Sequence, residues 1–205
     1  MRWAGTTELA SLLKIEDPYA YLDRLTMPKF MINSAGDQYF LPDSSQFYFD
    51  ALLGEKYLRY VPNTDHSLKG SDAPESASAF YEAIVAGRPR PKFSWSFEPD
   101  GSIQVKAETP PIAAALWQAA NPLGRDFRLE AIGPAYRRST LEEHGDGVYI
   151  AKSPEPGQGW VAYFIELTFA SGGLYPFKFT TGVRVAPDVL PFGPPPEMAS
   201  RVHEH

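Results

Sequence analysis

Between Gly87 and Pro91 the chain reads Gly-Arg-Pro-Arg-Pro, and the hydrophobic pattern changes across it. Proline disfavours helix at its own position and at the one before it, so this segment reads as a linker, residues 88–91. Before it, helix and strand signals alternate. After it, the apolar residues recur mostly with period two, as half-buried strands require.

In the first segment, Asp17-Pro18 is an N-cap followed by proline at the first helical position, with Tyr21, Leu22 and Leu25 on one face. Lys29 to Ser34 is a short apolar run that ends in Ala35-Gly36-Asp37, as a buried parallel strand ends in a turn. Asp43 with Gln46 predicts a capped helix carrying Phe47, Ala51 and Leu52 and closed by Gly54. Lys56 to Val61 reads as the next strand. Asp72 with Glu75 opens a helix bearing Ala73, Ala77, Phe80 and Ile84 before Gly87. Such alternation argues for parallel strands joined by helical crossovers.

Beyond the linker, Phe93 to Phe97 alternates with period two, Pro99-Asp100-Gly101 turns the chain, and Ile103 and Val105 resume the pattern as a hairpin. Ile112 to Gln118, Phe127 to Ile132, Val148 to Lys152, Val161 to Phe169 and Thr180 to Val185 are further strand candidates, bounded by turn formers. Seven or so short strands suggest an antiparallel sandwich. From Pro187 onward, with Pro194-Pro195-Pro196, apolar content is too low to fold, and the tail, residues 188–205, reads as disordered. The expected organisation is thus α/β over residues 1–87 followed by all-β over residues 92–187.

Composition narrows the function classes. Nineteen Lys and Arg against twenty-five Asp and Glu, a net charge of −6, leave no cationic excess to displace counterions, so nucleic acid is excluded as the expected partner. With no cysteine the chain has no disulfide, thiolate metal site or cysteine nucleophile. Residues 1–14 lack the basic start, apolar core and cleavage site of a signal peptide, and no apolar run reaches the roughly 18 residues of a membrane span. No cofactor is expected. His203-Glu204-His205 at the end of the chain offers no fixed geometry for a metal.

Chemistry concentrates on Asp37 and His66, each just beyond the carboxyl end of a predicted parallel strand, where open α/β sheets gather functional loops. A carboxylate accepting from the Nδ1–H of a histidine fixes the tautomer and leaves Nε2 free to take a proton. Each residue alone has a plainer reading: an aspartate after glycine forms turns, and a loop histidine is commonly just solvated. Their joint placement favours a catalytic pair. Asp65 is adjacent to His66 and poorly placed to orient it. A serine nucleophile on a glycine-flanked elbow should precede the acid. Only Thr6, Thr7, Ser11, Thr26 and Ser34 do, none of them in such an elbow. The oxyanion donors, which come earlier in such a fold, are missing too.

These stretches resemble the C-terminal part of the PhoPQ-activated pathogenicity-related proteins, a set of α/β-hydrolase-like proteins. The marks are Leu25-Thr26-Met27-Pro28-Lys29, the run from Gly36 to Asp43, Pro62-Asn63-Thr64-Asp65-His66, and the run from Leu116 to Pro122. Arg125-Asp126-Phe127-Arg128, Gly159-Trp160-Val161-Ala162 and Thr180-Thr181 extend them, so the resemblance runs from Asp17 to about Phe192. It implies that Asp37 is a triad acid, that His66 is the triad histidine, and that the nucleophile lies in an N-terminal half outside this chain. It also implies an exported, periplasmic or extracellular whole protein.

The resulting expectation is the C-terminal portion of an α/β-hydrolase domain followed by an immunoglobulin- or fibronectin-like β-sandwich. The function expected of the complete protein is serine hydrolysis of a small-molecule or peptide substrate, with this chain inactive alone. The alternative is a non-catalytic secreted binding or signalling protein that uses the β-sandwich as its interface. A two-strand parallel remnant also predicts an exposed sheet edge open to association. Trp95, Trp117 and Trp160, in or beside predicted strands, are more economically read as core than as a ligand platform. Arg125, Asp126 and Arg128 are expected to form a structural ion pair.

Overall fold

A computed structural model describes residues 5–153 and 157–191. The proline-rich tail and the terminal His-Glu-His lie at residues 192–205, outside the described residues.

The first helix, α1 (Thr7–Glu16), is capped by Thr6, whose side chain accepts from Leu9 N at 3.2 Å. The expected helix after Asp17 is a 3₁₀ segment, Pro18–Arg24, with the Asp17 side chain accepting from Tyr19 N at 2.9 Å. Strand β1 (Lys29–Ser34) then pairs in parallel with β2 (Lys56–Val61), Ser34 opposite Val61 at their carboxyl ends.

The helix expected from Asp43 is a single 3₁₀ turn, Ser44–Phe47, and the Asp43 side chain makes no cap bond. Its carboxylate is taken instead by the Arg125 guanidinium in an ion pair that is almost fully buried. Helix α2 (Ala73–Val85) forms where expected and buries Ala73, Ser76, Ala79, Phe80 and Ala83. Asp72, at its start, likewise forgoes the cap: its carboxylate joins Arg59 of β2 to Lys178.

After the linker come β3 (Phe93–Phe97), β4 (Ile103–Ala107), β5 (Ala113–Asn121), a one-turn helix α3 (Leu129–Ile132), β6 (Arg137–Thr140), β7 (Val148–Ala151), β8 (Trp160–Phe169), β9 (Phe177–Thr180) and β10 (Arg184–Ala186). One antiparallel sheet runs β3-β4-β7; the other runs β10-β8-β5-β6, with β9 also on β8. The expected strand from Phe127 to Ile132 is therefore α3. The expected strand from Thr180 to Val185 is two strands, parted where Thr181 turns to give its hydroxyl to Gly182 O and accept from Ile165 N.

The expected fold class needs correction. Among the described residues the chain is mostly β-strand in three sheets with few helices. It is not an α/β-hydrolase portion followed by an immunoglobulin- or fibronectin-like sandwich. Among the described residues only one strand pair is parallel, and the crossover joining it is turns and 3₁₀ rather than helix.

Two apolar clusters make the core, and each mixes residues from before and after the linker. One gathers Tyr57, Ala79, Phe80 and Ala83 with Ile103, Val105, Leu116, Ile165, Phe177 and Phe179. The other gathers Leu58 and Tyr60 with Phe127, Tyr136, Phe164 and Val185. Strand β2 is fixed to the antiparallel part by hydrogen bonds as well, Tyr60 N donating to Thr180 Oγ1 at 2.9 Å.

Candidate functional site

At the carboxyl ends of β1 and β2, two loops are tied together residue by residue. Ser34, the last residue of β1, is buried; its hydroxyl donates to Thr64 O at 2.6 Å and accepts from Gly36 N at 3.0 Å. Thr64 Oγ1 lies 3.1 Å from Ser34 Oγ and 3.0 Å from Val61 O, folding the loop after β2 back onto its own strand. Gly36 sits at the crossing: a Cβ there would stand 2.5 Å from Thr64 O and 3.1 Å from Leu129 N. Gly36 O in turn accepts from Leu129 N at 2.9 Å, which docks α3 on the loop.

Asn63 supplies the third tie. It has φ +57°, in the left-handed region that asparagine tolerates better than most residues. Its side chain grips the main chain of Tyr136 from both sides, donating to Tyr136 O at 3.0 Å and accepting from Tyr136 N at 2.9 Å. Thus the loop that carries His66 is held from β1 by Ser34 and from the segment entering β6 by Tyr136.

These ties bring Asp37 and His66 together, with His66 Nδ1 2.8 Å from Asp37 Oδ2. An ionised carboxylate only accepts, so Nδ1 carries the proton and Nε2 is left as the basic nitrogen of the neutral ring. The other carboxylate oxygen, Oδ1, accepts from Tyr39 N at 2.7 Å and Phe40 N at 3.3 Å. Both oxygens of a buried acid are therefore engaged, and its orientation is fixed. The imidazole is half-exposed, 50% against 6% for the Asp37 side chain. Its main-chain N–H donates to Gln38 Oε1 at 3.1 Å, a contact from the acid's own loop.

Tyr39 stands edge-on to the imidazole with ring centres 5.0 Å apart, and Phe40 is 5.9 Å away. Both rings are exposed, so an apolar surface lies beside the imidazole. A small cavity of about 180 Å³ lies next to the pair, lined by Gly36, Gln38, Asp65, Leu129 and Glu130.

Asp65 takes no part in the pair. It accepts from Ser67 N at 2.9 Å and the Ser67 hydroxyl at 2.5 Å, which hold its carboxyl below the ordinary range. Ser34, the hydroxyl closest in sequence to the acid, is committed to Thr64 O and buried. No hydroxyl among the described residues hydrogen-bonds Nε2. The expected ion pair in the basic loop is Arg128 with Asp126 at 2.6 Å, whereas Arg125 reaches across to Asp43. Gln38, Asn63 and Thr64 lie in stretches that carry the resemblance, but nothing in the sequence gives them or Tyr136 a role at the site; the Asn-Thr pair just ahead of Asp65-His66, in a loop of turn formers, is the signal available for two of them.

No group of three His, Asp or Glu residues among the described residues is arranged to hold a metal. No helix among them is long and apolar enough to cross a membrane.

A buried carboxylate orienting a half-exposed imidazole at the ends of two parallel strands makes this a protein with an acid–histidine pair. The chain belongs to the PhoPQ-activated pathogenicity-related protein family, whose model matches residues 1–128. A curated relative from Dictyostelium discoideum, autocrine proliferation repressor protein A, is 33% identical over 220 aligned positions, covering 94% of this chain. The chain spans 44% of that relative's length. No solved structure matches it significantly.

Several stretches quoted above for the resemblance turn out to be joints. Gly159 has φ +75°, and a Cβ there would lie 2.2 Å from Asn121 O and 2.5 Å from Pro122 Cα, so β8 enters hard against the turn that ends β5. Thr180 and Thr181 satisfy the main chain of β2 and β8 respectively. Trp117 and Trp160 are partly buried against the second core cluster, and Trp95 against both.

Proposed function

We propose that Asp37 and His66 are the orienting acid and the general base of a hydrolytic site that transfers an acyl group to water. The observation that carries this reading is the 2.8 Å contact between Asp37 Oδ2 and His66 Nδ1, with both Asp37 oxygens engaged and the imidazole open to solvent. In the complete protein, Nε2 takes the proton of a serine hydroxyl as it attacks the carbonyl and returns it to the leaving group. The nucleophile and the oxyanion donors come from a segment outside these residues, and the exposed rings of Tyr39 and Phe40 beside His66 meet the acyl portion of a small-molecule or peptide substrate.

The test uses the complete protein and a fluorophosphonate probe. Labelling of one serine and hydrolysis of p-nitrophenyl acetate are expected, both lost on His66→Ala and strongly reduced on Asp37→Ala. Residues 1–205 alone are expected to leave the ester untouched. Unchanged turnover by the His66→Ala protein would end the proposal.

A second reading rests on the relative's name, which describes repression of proliferation rather than catalysis. On it, the protein is exported and binds a partner, and Asp37–His66 only pins two loops. A complete protein that binds without labelling, and whose binding survives Asp37→Ala, favours it.

A further inference from the structure

The loop that carries Asp37 leaves the core at Gln38 and returns to it at Pro42: residues 38–41 are exposed, whereas residues 34–37, Pro42 and Asp43 are buried. Burial therefore does not fix the exposed stretch, and its shape depends on how its two ends are held. Both ends are held by one segment, which runs from the end of β5 to the start of α3. At the near end Leu129 N donates to Gly36 O at 2.9 Å; at the far end the Arg125 guanidinium pairs with the Asp43 carboxylate.

That segment is itself well fixed. Asn121 Nδ2 donates to Asp126 O at 2.6 Å and Asn121 Oδ1 accepts from Leu123 N at 3.0 Å, closing the turn, while Phe127 is buried in the second core cluster. Just beyond Asp43, Ser45 N donates to the Tyr60 hydroxyl at 3.2 Å, so the chain there also rests on β2. Residues 125–129 thus brace the acid's loop from Gly36 to Asp43.

What the brace sets is the far side of Asp37. Tyr39 N and Phe40 N, the two donors to Asp37 Oδ1, both belong to the exposed stretch. Gln38, whose Oε1 accepts from His66 N at 3.1 Å, belongs to it too. When the end of this stretch shifts, the amides leave the carboxylate, which can then turn away from His66 Nδ1.

The Asp43–Arg125 pair is poorly suited to a purely stabilising role. Its side chains are 8% and 4% exposed, and neither Asp43 Oδ1 nor Arg125 Nε has a partner among the described residues. Desolvating two charges offsets their attraction unless the remaining polar atoms are satisfied as well, so an apolar pair of the same volume would hold the core no worse. What a charged hydrogen bond adds is direction, where an apolar contact can slide.

We propose that Arg125 is a positioning residue for the Asp37–His66 pair: by fixing Asp43 it keeps the Tyr39 and Phe40 amides on Asp37 Oδ1, and so keeps Asp37 Oδ2 on the imidazole. Its effect on turnover rests on the hydrolytic reading above; its effect on geometry does not.

The test follows isotopically labelled residues 1–205 by NMR. At about pH 9, well above the ordinary imidazole value of about 6.5, long-range nitrogen–proton couplings report which ring nitrogen of His66 carries the proton. Arg125→Met strands the Asp43 charge and can unfold the chain, so the double variant Asp43→Asn/Arg125→Met, which leaves no charge in the pair, is measured beside it. In the folded variants the Nδ1 proton is expected to give way to the mixture of an unrestrained imidazole, and exchange of the Tyr39 and Phe40 amides to quicken about tenfold or more. Arg125→Lys, which keeps the charge, should restore part of both. Arg90→Met, which breaks the Glu55 pair at the opposite end of β2, matches the loss of an ion pair and should move neither. An unchanged His66 tautomer with unchanged Tyr39 and Phe40 exchange in the folded double variant, or an equal response to Arg90→Met, would overturn the proposal. In the complete protein, turnover of p-nitrophenyl acetate should fall about tenfold or more in the double variant; unchanged turnover where the His66 signals have moved would also overturn it. If those signals respond but the parent hydrolyses no ester, the hydrolytic reading fails and the positioning role stands.

Discussion

Asn63 is the residue on which the His66 loop depends most, and replacing it tests the account of the site. In Asn63→Ala the two hydrogen bonds to Tyr136 are lost, and the Tyr136 N–H and C=O are left without partners at a residue only 2% exposed. Stranding a buried polar group costs roughly 1–3 kcal/mol, so about 1.5 kcal/mol for each of the two is a central value. Alanine must also hold φ +57°, which adds about 1 kcal/mol for a residue with a Cβ. The total is about 4 kcal/mol, or a fall in Tm of about 8–16 °C for a chain of this length. Asn63→Gly loses the bonds but not the backbone fit, so it should recover about 1 kcal/mol of that loss. Urea denaturation of the three proteins reads both numbers. In the same samples, exchange of the His66 amide should quicken in both variants. If Asn63→Ala unfolds within about 0.5 kcal/mol of the parent, surface-like behaviour has been shown and the anchoring account is wrong.

Gly36→Ala should cost about 1–3 kcal/mol, because the new methyl meets main-chain Thr64 O rather than a side chain that can turn aside; calorimetry showing an unchanged Tm would contradict it. Asp72→Ala should cost about 3–5 kcal/mol by leaving Arg59, 1% exposed, as an uncompensated buried cation, whereas Arg59→Met should cost clearly less; denaturant midpoints in the reverse order would refute this. Acid should destabilise the fold through two carboxyls. Burial opposes ionisation of Asp72, but the Lys178 hydrogen bond and the Arg59 charge outweigh it and lower its pKa, while the Arg90 hydrogen bond lowers that of Glu55. With folded values below the ordinary 3.8 and 4.5, their stabilisation is complete above about pH 5 and is lost as pH falls through the folded values. Stability curves from pH 7 to pH 2 should therefore flatten in Asp72→Asn relative to the parent.

What could be read from sequence was local. β3 and β4 alternate apolar and polar residues around a clear turn, β7 and β8 are nearly unbroken apolar runs bounded by turn formers, and all four form close to where those patterns place them. β6 escaped because all four of its residues are exposed, so no face is buried and no periodicity exists. The helix after Asp43 failed for the opposite reason: its cap residue is drawn to Arg125, 82 positions away, by an ion pair that no window on the sequence contains. The fold class failed at the same level. An α/β reading needs the parallel pair to build its own layer, yet Tyr57, Leu58 and Tyr60 pack into cores shared with β5, β8 and β9. The closeness of Asp37 and His66 was legible because the two strand ends lie side by side whenever consecutive parallel strands pair. The Ser34, Asn63 and Gly36 ties were not, since each depends on an atom contributed from another loop.

Those ties bear on whether residues 1–87 can stand alone, as the change of pattern at Gly87 to Pro91 suggests. Cut there, the first segment keeps the Ser34–Thr64 bonds and the Asp37–His66 contact in principle. It loses Tyr136 from Asn63, Leu129 N from Gly36 O, Thr180 from Tyr60 N and Lys178 from Asp72, together with the apolar partners of Tyr57 and Leu58. A parallel pair with one long helix is below the size that stabilises itself in water. Residues 1–87 are therefore expected to melt without a cooperative transition and to show averaged His66 signals, while residues 1–191 melt cooperatively. A sharp transition in the shorter piece, with the His66 ring still held on Asp37, would mean that the two segments are separate folding units and that the shared cores contribute little.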